Sequence, residues 1–172
     1  MKLPTVAELT TTLANQMQPA LPDDVLLIGI QRGGMWVTEA LANTLGNLCT
    51  MQPATGSVSV ALYRDDYGRR GLSPSAKVCD LPGHIDGKTV VLVDDVLHTG
   101  RTVRAAMNVL FDYGRPAVIH LAVLVTRGGR QLPIEATWQA SSLELQENQT
   151  LELKKSEHGE LTFALLTDNK AA

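Results

Sequence analysis

The residues best suited to chemistry lie in one stretch of this 172-residue chain: Asp94 and Asp95, followed by Val96-Leu97-His98-Thr99-Gly100-Arg101-Thr102. The acids end an apolar, β-branched run, Thr89-Val90-Val91-Leu92-Val93, bounded upstream by Gly87-Lys88. Runs of that kind read as strands buried on both faces of a parallel sheet. Beyond the turn, residues 103–111 have helical spacing that puts Val103, Met107, Leu110 and Phe111 on one side. Free N–H groups at a helix start, helped by the macrodipole, bind an anion. Gly100 lets a ligand approach the backbone, and the Thr99 and Thr102 hydroxyls add donors. Arg101 and Arg104 fall in the first turn, where a cation opposes the macrodipole until a phosphate docks. Two adjacent carboxylates suit the vicinal hydroxyls of a ribose, which are donors in need of acceptors. The stretch reads as a site for a ribose 5-phosphate. The plainer alternative makes Thr99 an ordinary helix cap and the acids part of a solvated loop.

Other segments must place these residues. Val6, Leu9, Leu13 and Met17 line one face of a helix that Pro19 and Pro22 close. Val25-Leu26-Leu27-Ile28-Gly29-Ile30 reads as a buried strand, Gln31-Arg32-Gly33-Gly34 as its exit turn, and residues 35–45 as a helix ending at Gly46. In open α/β sheets, ligands bind at that carboxyl edge. Residues 57–63 alternate like a half-exposed strand, whereas 64–88 are rich in glycine and proline without periodicity, as a lid loop would be. Residues 117–125 form another apolar strand, in which His120 reads as a core or half-exposed histidine. Arg127 closes that strand at the ligand edge, as a candidate contact for a base or phosphate or as a plain surface arginine. Residues 150–153 and 161–166 are strand-like, with a turn at His158-Gly159. Strands alternating with helices predict an open α/β fold, and no repeat or linker divides the single domain expected over residues 1–172.

Composition narrows the function. A formal charge of −3, with 44% hydrophobic and 19% charged residues, gives no general case for nucleic-acid binding. Cys49 and Cys79 belong to no paired ligand pattern and read as reduced thiols. No leader or bilayer-spanning run is visible, so the cytoplasm is the expected location and no membrane partner is expected. Neither Gly-x-x-x-x-Gly-Lys-Ser/Thr nor Gly-x-Gly-x-x-Gly occurs, which disfavours P-loop and dinucleotide-binding readings.

Four apolar residues, two acids and x-x-x-Thr-Gly-x-Thr resemble the phosphoribosyl pyrophosphate (PRPP) motif of type I phosphoribosyltransferases. The longer wording from Val93 to Ala106, continuing to Asp112-Tyr113-Gly114-Arg115-Pro116, resembles the PyrR group of pyrimidine-operon regulators with uracil phosphoribosyltransferase activity. Leu62-Tyr63-Arg64-Asp65-Asp66 and residues 121–134 match that group as well. The resemblance implies a type I phosphoribosyltransferase fold: an open, mostly parallel sheet flanked by helices, a lid loop at about 65–88, and a small hood from the C-terminal segment. It implies transfer of ribose 5-phosphate from PRPP to uracil, giving UMP and pyrophosphate, in a homo-oligomer. Asp94 and Asp95 would hold the ribose and residues 96–102 the 5-phosphate. Gln31, Arg32 and Gly33 would grip pyrophosphate with Mg²⁺ held mainly through PRPP. Arg64, Asp65, Arg69 and Arg70 would act in the lid, and Arg127 and Leu143 at the base; His98 has at most a secondary role.

The chain departs from the group twice. Gln31-Arg32-Gly33-Gly34 stands where Lys-Thr-Arg-Gly is usual, and Ala140-Ser141-Ser142-Leu143-Glu144 where Gly-Lys-Asn-x-Pro-Thr-Ser is usual. Two alternatives therefore stay open. One is an RNA-binding attenuator that senses nucleotide through the PRPP site, although residues 3–24 contain no lysine or arginine. The other is a phosphoribosyltransferase for a purine base.

Overall fold

A computed structural model describes residues 4–49, 51–60 and 79–167. Helix α1 (Val6–Met17) starts at a capping box, in which Glu8 N–H donates to Thr5 Oγ1 at 3.2 Å and Thr5 N–H to the Glu8 carboxylate at 2.7 Å. It buries Val6, Leu9, Leu13 and Met17, as its spacing predicts. Strand β1 (Leu26–Ile30), helix α2 (Gly33–Cys49) and strand β2 (Ala54–Val58) follow, then a short β3 (Cys79–Asp80). Strand β4 (Thr89–Leu97) leads through α3 (Arg101–Tyr113) to β5 (Val118–Arg127) and β6 (Trp138–Leu143). The described residues end in a separate antiparallel hairpin of β7 (Gln149–Lys155) and β8 (Leu161–Thr167).

The main sheet has the order β3-β2-β1-β4-β5-β6 and is parallel apart from the β2–β3 pair. Period-two alternation builds a core on each face. Val91 and Val93 of β4 join Leu27 and the inner sides of α1 and α2. Val90 and Leu92 join Ile28 and the inner side of α3. Both cores reach essentially zero exposure along β4, so this strand cannot slip register without expelling valines from one core or the other.

Several expectations need correction. Strand β4 does not stop at Val93 but carries Asp94 and Asp95 within it, because pairing with β5 continues to Leu97↔Thr126. Helix α2 starts at Gly33 and passes through Gly46 to Cys49. Phe111 is 44% exposed: small Ala105 and Ala106 take the buried positions beside Val103, Val109 and Leu110, which turns Phe111 outward beneath the Arg115 guanidinium. The segment expected to end a lid at residue 88 belongs to the body from residue 79 onward. Cys79 and Asp80 pair with β2, Ile85 is fully buried, and Asp86 accepts the Arg115 N–H at 2.9 Å. Arg64, Asp65, Arg69 and Arg70 lie outside the described residues. Strand β6 was not anticipated.

Candidate active site

From β1 the chain passes through α2 to β2 on one side of the sheet; from β4 it passes through α3 to β5 on the other. This reversal opens a crevice at the carboxyl ends of β1 and β4, where α/β sheets take ligands. A cavity of about 260 Å³ occupies it. Gln31, Arg32 and Gly33 line it from the β1 exit, Asp94, Asp95 and Val96 from β4, and His98 and Thr102 from the turn into α3. The Gln31–Arg32 peptide is cis.

Close packing joins two of these groups. A Cβ on Gly33 would sit 2.6 Å from the Asp95 carboxyl, and one on Gly34 would strike the Val93 carbonyl oxygen. The Asp95 carboxyl therefore lies at the start of α2, where the macrodipole favours negative charge. Asp94 is 7% exposed, and its Oδ1 accepts the Asp95 N–H at 3.0 Å. Burial, and then the charge of Asp95, hold its carboxyl well above the usual carboxylate range.

At the other helix start, Gly100 is the N-cap residue in the left-handed region at φ +89° and has no side chain to cap the first turn. Thr99 is thus not the N-cap residue, although its Oγ1 accepts from the first amide of α3, Arg101 N–H, at 3.3 Å. The turn is held from outside: Gln131 and Leu132 N–H both donate to the Thr99 carbonyl, at 3.1 and 3.2 Å, and Arg101 Nε donates to Gln131 Oε1 at 3.0 Å. Arg101 is exposed and Leu97 is in the core, so of residues 96–102 the cavity wall receives Val96, His98 and Thr102.

Arg127 is no surface arginine. It is 8% exposed, forms part of the wall, and donates from Nη1 to the Gln149 carbonyl at 2.8 Å. That bond ties the end of β5 to the hairpin, whose Thr150 and Leu151 complete the wall. Leu143 is placed otherwise than expected: it is 7% exposed and packed in the α1–α2 core, off the cavity. Burial, then the positive charges of Arg127 and Arg130, hold the His98 imidazole below its ordinary value. Sequence reasoning missed Thr150, Leu151 and the bracing by Gln131 and Leu132. The strand-like run beginning near residue 150 and the hood expected from the C-terminal segment pointed toward the first two without naming them.

A family model, the phosphoribosyl transferase domain, matches residues 6–151. The bifunctional protein PyrR of Nitrosococcus oceani is 45% identical over 145 residues, covering 84% of this chain and 81% of that protein. The bifunctional protein PyrR of Ralstonia nicotianae is 45% identical over 154 residues, covering 90% of this chain and 83% of that one. The chain belongs to the phosphoribosyltransferase family, in its PyrR branch. A hypoxanthine phosphoribosyl transferase from Trypanosoma cruzi superposes with a TM-score of 0.62 at 22% identity, covering 84% of this chain and 78% of its own, which shows the shared fold. The expected type I phosphoribosyltransferase architecture is borne out. Among the described residues, no helix is long and apolar enough to cross a membrane.

Proposed function

We propose that this PyrR-family chain transfers ribose 5-phosphate from PRPP to uracil, giving UMP and pyrophosphate. The reading is carried by one observation: Asp94 and Asp95 meet the starts of α2 and α3 around a single cavity at the switch point. Asp94 and Asp95 accept hydrogen bonds from the 2- and 3-hydroxyls. Donors of that kind favour ionised carboxylates, so a bound sugar draws Asp94 back toward its charged form. The 5-phosphate rests against the first-turn amides of α3 and on the Thr102 hydroxyl. Pyrophosphate lies at residues 31–33, where the start of α2 and Arg32 balance its charge.

As pyrophosphate leaves, the anomeric carbon becomes oxocarbenium-like. The two carboxylates supply negative charge beside it; positioning and electrostatics do most of the catalysis. The wall fits Mg²⁺, because carboxylate oxygens are what a hard cation takes; Asp94 and Asp95 would add to ligation provided mainly by PRPP oxygens and water. When bound, the ion neutralises charge on the departing pyrophosphate.

The relatives' description as bifunctional favours a second role, regulation of pyrimidine genes through RNA. An RNA surface must neutralise phosphates, and α1 offers no lysine or arginine for that purpose. Salt-titrated binding of a pyrimidine-operon leader transcript decides this role; undetectable binding at low salt removes it. For the enzyme, the test is pyrophosphate release with PRPP, Mg²⁺ and each nucleobase in turn. Turnover is expected with uracil, with a loss in kcat/KM of about 10²–10³-fold in Asp95→Asn. Activity with purines alone would overturn the substrate assignment, and none with any base would overturn the enzyme.

A further inference from the structure

Arg127 raises a question that the PRPP contacts do not answer. Its side chain is more than nine-tenths buried in the cavity wall, and no carboxylate pairs with it among the described residues. Nη1 is held by Gln149, while Nε is buried without an acceptor. Arg130 Nη1 is buried without an acceptor as well. Guanidinium groups left in that condition are costly unless a ligand brings negative charge to them. The 5-phosphate and the pyrophosphate each have a helix start of their own. What remains for the end of β5 and the hairpin is the base.

We propose that Arg127, backed by Arg130, is a catalytic residue that stabilises the deprotonated, anionic form of an oxo-pyrimidine as it attacks. This deepens the phosphoribosyl transfer reading and rests on it. The ring N–H gives its proton to water, and the negative charge spreads over the ring nitrogens and carbonyl oxygens, where the guanidinium meets it. The nitrogen lone pair forms the bond to the anomeric carbon. The bond from that carbon to the pyrophosphate oxygen breaks, its electron pair leaving with pyrophosphate. Carboxylates at β4 then face the carbon that becomes cationic, and a guanidinium at β5 faces the ring that becomes anionic. No positioned general base is needed. The charged and titratable groups around this wall are Asp94, Asp95, Arg32, His98 and Arg130, with Glu144 packed behind Gly128.

The test compares uracil with 5-fluorouracil, whose ring N–H is more acidic, in steady-state kinetics across pH. Arg127→Met is expected to lose roughly tenfold more kcat/KM with uracil than with 5-fluorouracil, and its rising alkaline limb should move to higher pH. Arg127→Lys, which keeps the charge, should recover most of the difference. Equal losses with both bases and an unmoved pH profile would overturn the proposal and leave Arg127 as a brace for Gln149. Should Arg127→Met not fold, the same comparison in Arg130→Met, with a smaller expected gap, decides in the same way. No turnover by the parent protein with any base would overturn phosphoribosyl transfer itself, a different failure from equal losses.

Discussion

The two walls of the cleft are made differently. The wall proposed for sugar and phosphate consists of strand ends and helix starts at the main sheet, with fully buried valines of β4 directly beneath the acids and glycines of α2 pressed against them. The wall proposed for the base consists of Arg127 and a hairpin outside that sheet, tied back through the Arg127–Gln149 hydrogen bond. The hairpin leaves Leu165 53% and Leu166 43% exposed. Close backbone packing constrains the first wall, whereas the second meets the core through side chains of the hairpin, Leu151, Leu153, Leu161 and Phe163. The family match runs to residue 151, so it stops two residues after Gln149, just as the chain enters the hairpin. On the proposed reading, sugar and phosphate contacts belong to the first wall, and contacts to the base, Arg127 among them, to the second.

The largest effect that would break this contrast is expected at Gly34. A Cβ there meets the Val93 backbone carbonyl, and neither partner has a flexible end that could yield. Gly34→Ala should push α2 away from β4 and destabilise the protein by about 1–3 kcal/mol, measured by denaturant unfolding. Activity should fall further than stability, since the same shift pulls Gly33 and Arg32 from Asp95. Parent-like stability with parent-like activity would mean that the first wall is not held by close packing.

The next effect sets stability against function at Asp94. Its folded-state carboxyl is held above the ordinary range by burial and by Asp95. The folded protein therefore binds this proton more tightly than the unfolded chain does. Its contribution is most favourable on the acid side and declines as pH rises from the ordinary carboxylate value through the raised one. Asp94→Asn keeps the shape and removes the titration. It should raise Tm at neutral pH, with the gain shrinking toward acid, and should weaken PRPP binding. A variant less stable than the parent at neutral pH would show that the acid is paired in the free protein.

How much was legible follows the same division. The β4 run, the Val6-Leu9-Leu13-Met17 stripe and the 25–30 strand announce themselves, because each is a local period with a core waiting on the matching face. That the acid pair and the turn into α3 would share one edge of the sheet was legible too, because β4 and the start of α3 are adjacent in sequence, although the acids lie within the strand rather than beyond it. Phe111 was assigned to the wrong side because small alanines, weak in any hydrophobic pattern, hold the buried positions of α3. Strand β6 escaped notice because Trp-Gln-Ala-Ser-Ser-Leu has little apolar alternation, and pairing with β5 from Ala122↔Trp138 to Arg127↔Leu143 makes it a strand. That pairing also explains Leu143, which takes its place in the core rather than in the cleft. Thr150 and Leu151 reach the wall through a contact between Arg127 and Gln149, 22 residues apart, which no spacing rule encodes.

The smallest effect tests the second wall directly. Leu151 lines the cavity and packs partly against the α1–α2 core, while its neighbour Thr150 is exposed. Trimming it should widen the base pocket without moving the strand ends that hold the sugar. Leu151→Ala is therefore expected to raise KM for uracil by about three- to tenfold, as the loss of a few methylene contacts allows. KM for PRPP should stay within error of the parent's, and larger bases should gain relative to uracil. If both constants rose together, the hairpin would be bracing the sugar–phosphate wall after all, and the separation of sugar and phosphate contacts from base contacts would fail. If neither moved, the base would have to lie elsewhere along the cleft, nearer Arg127 than Leu151.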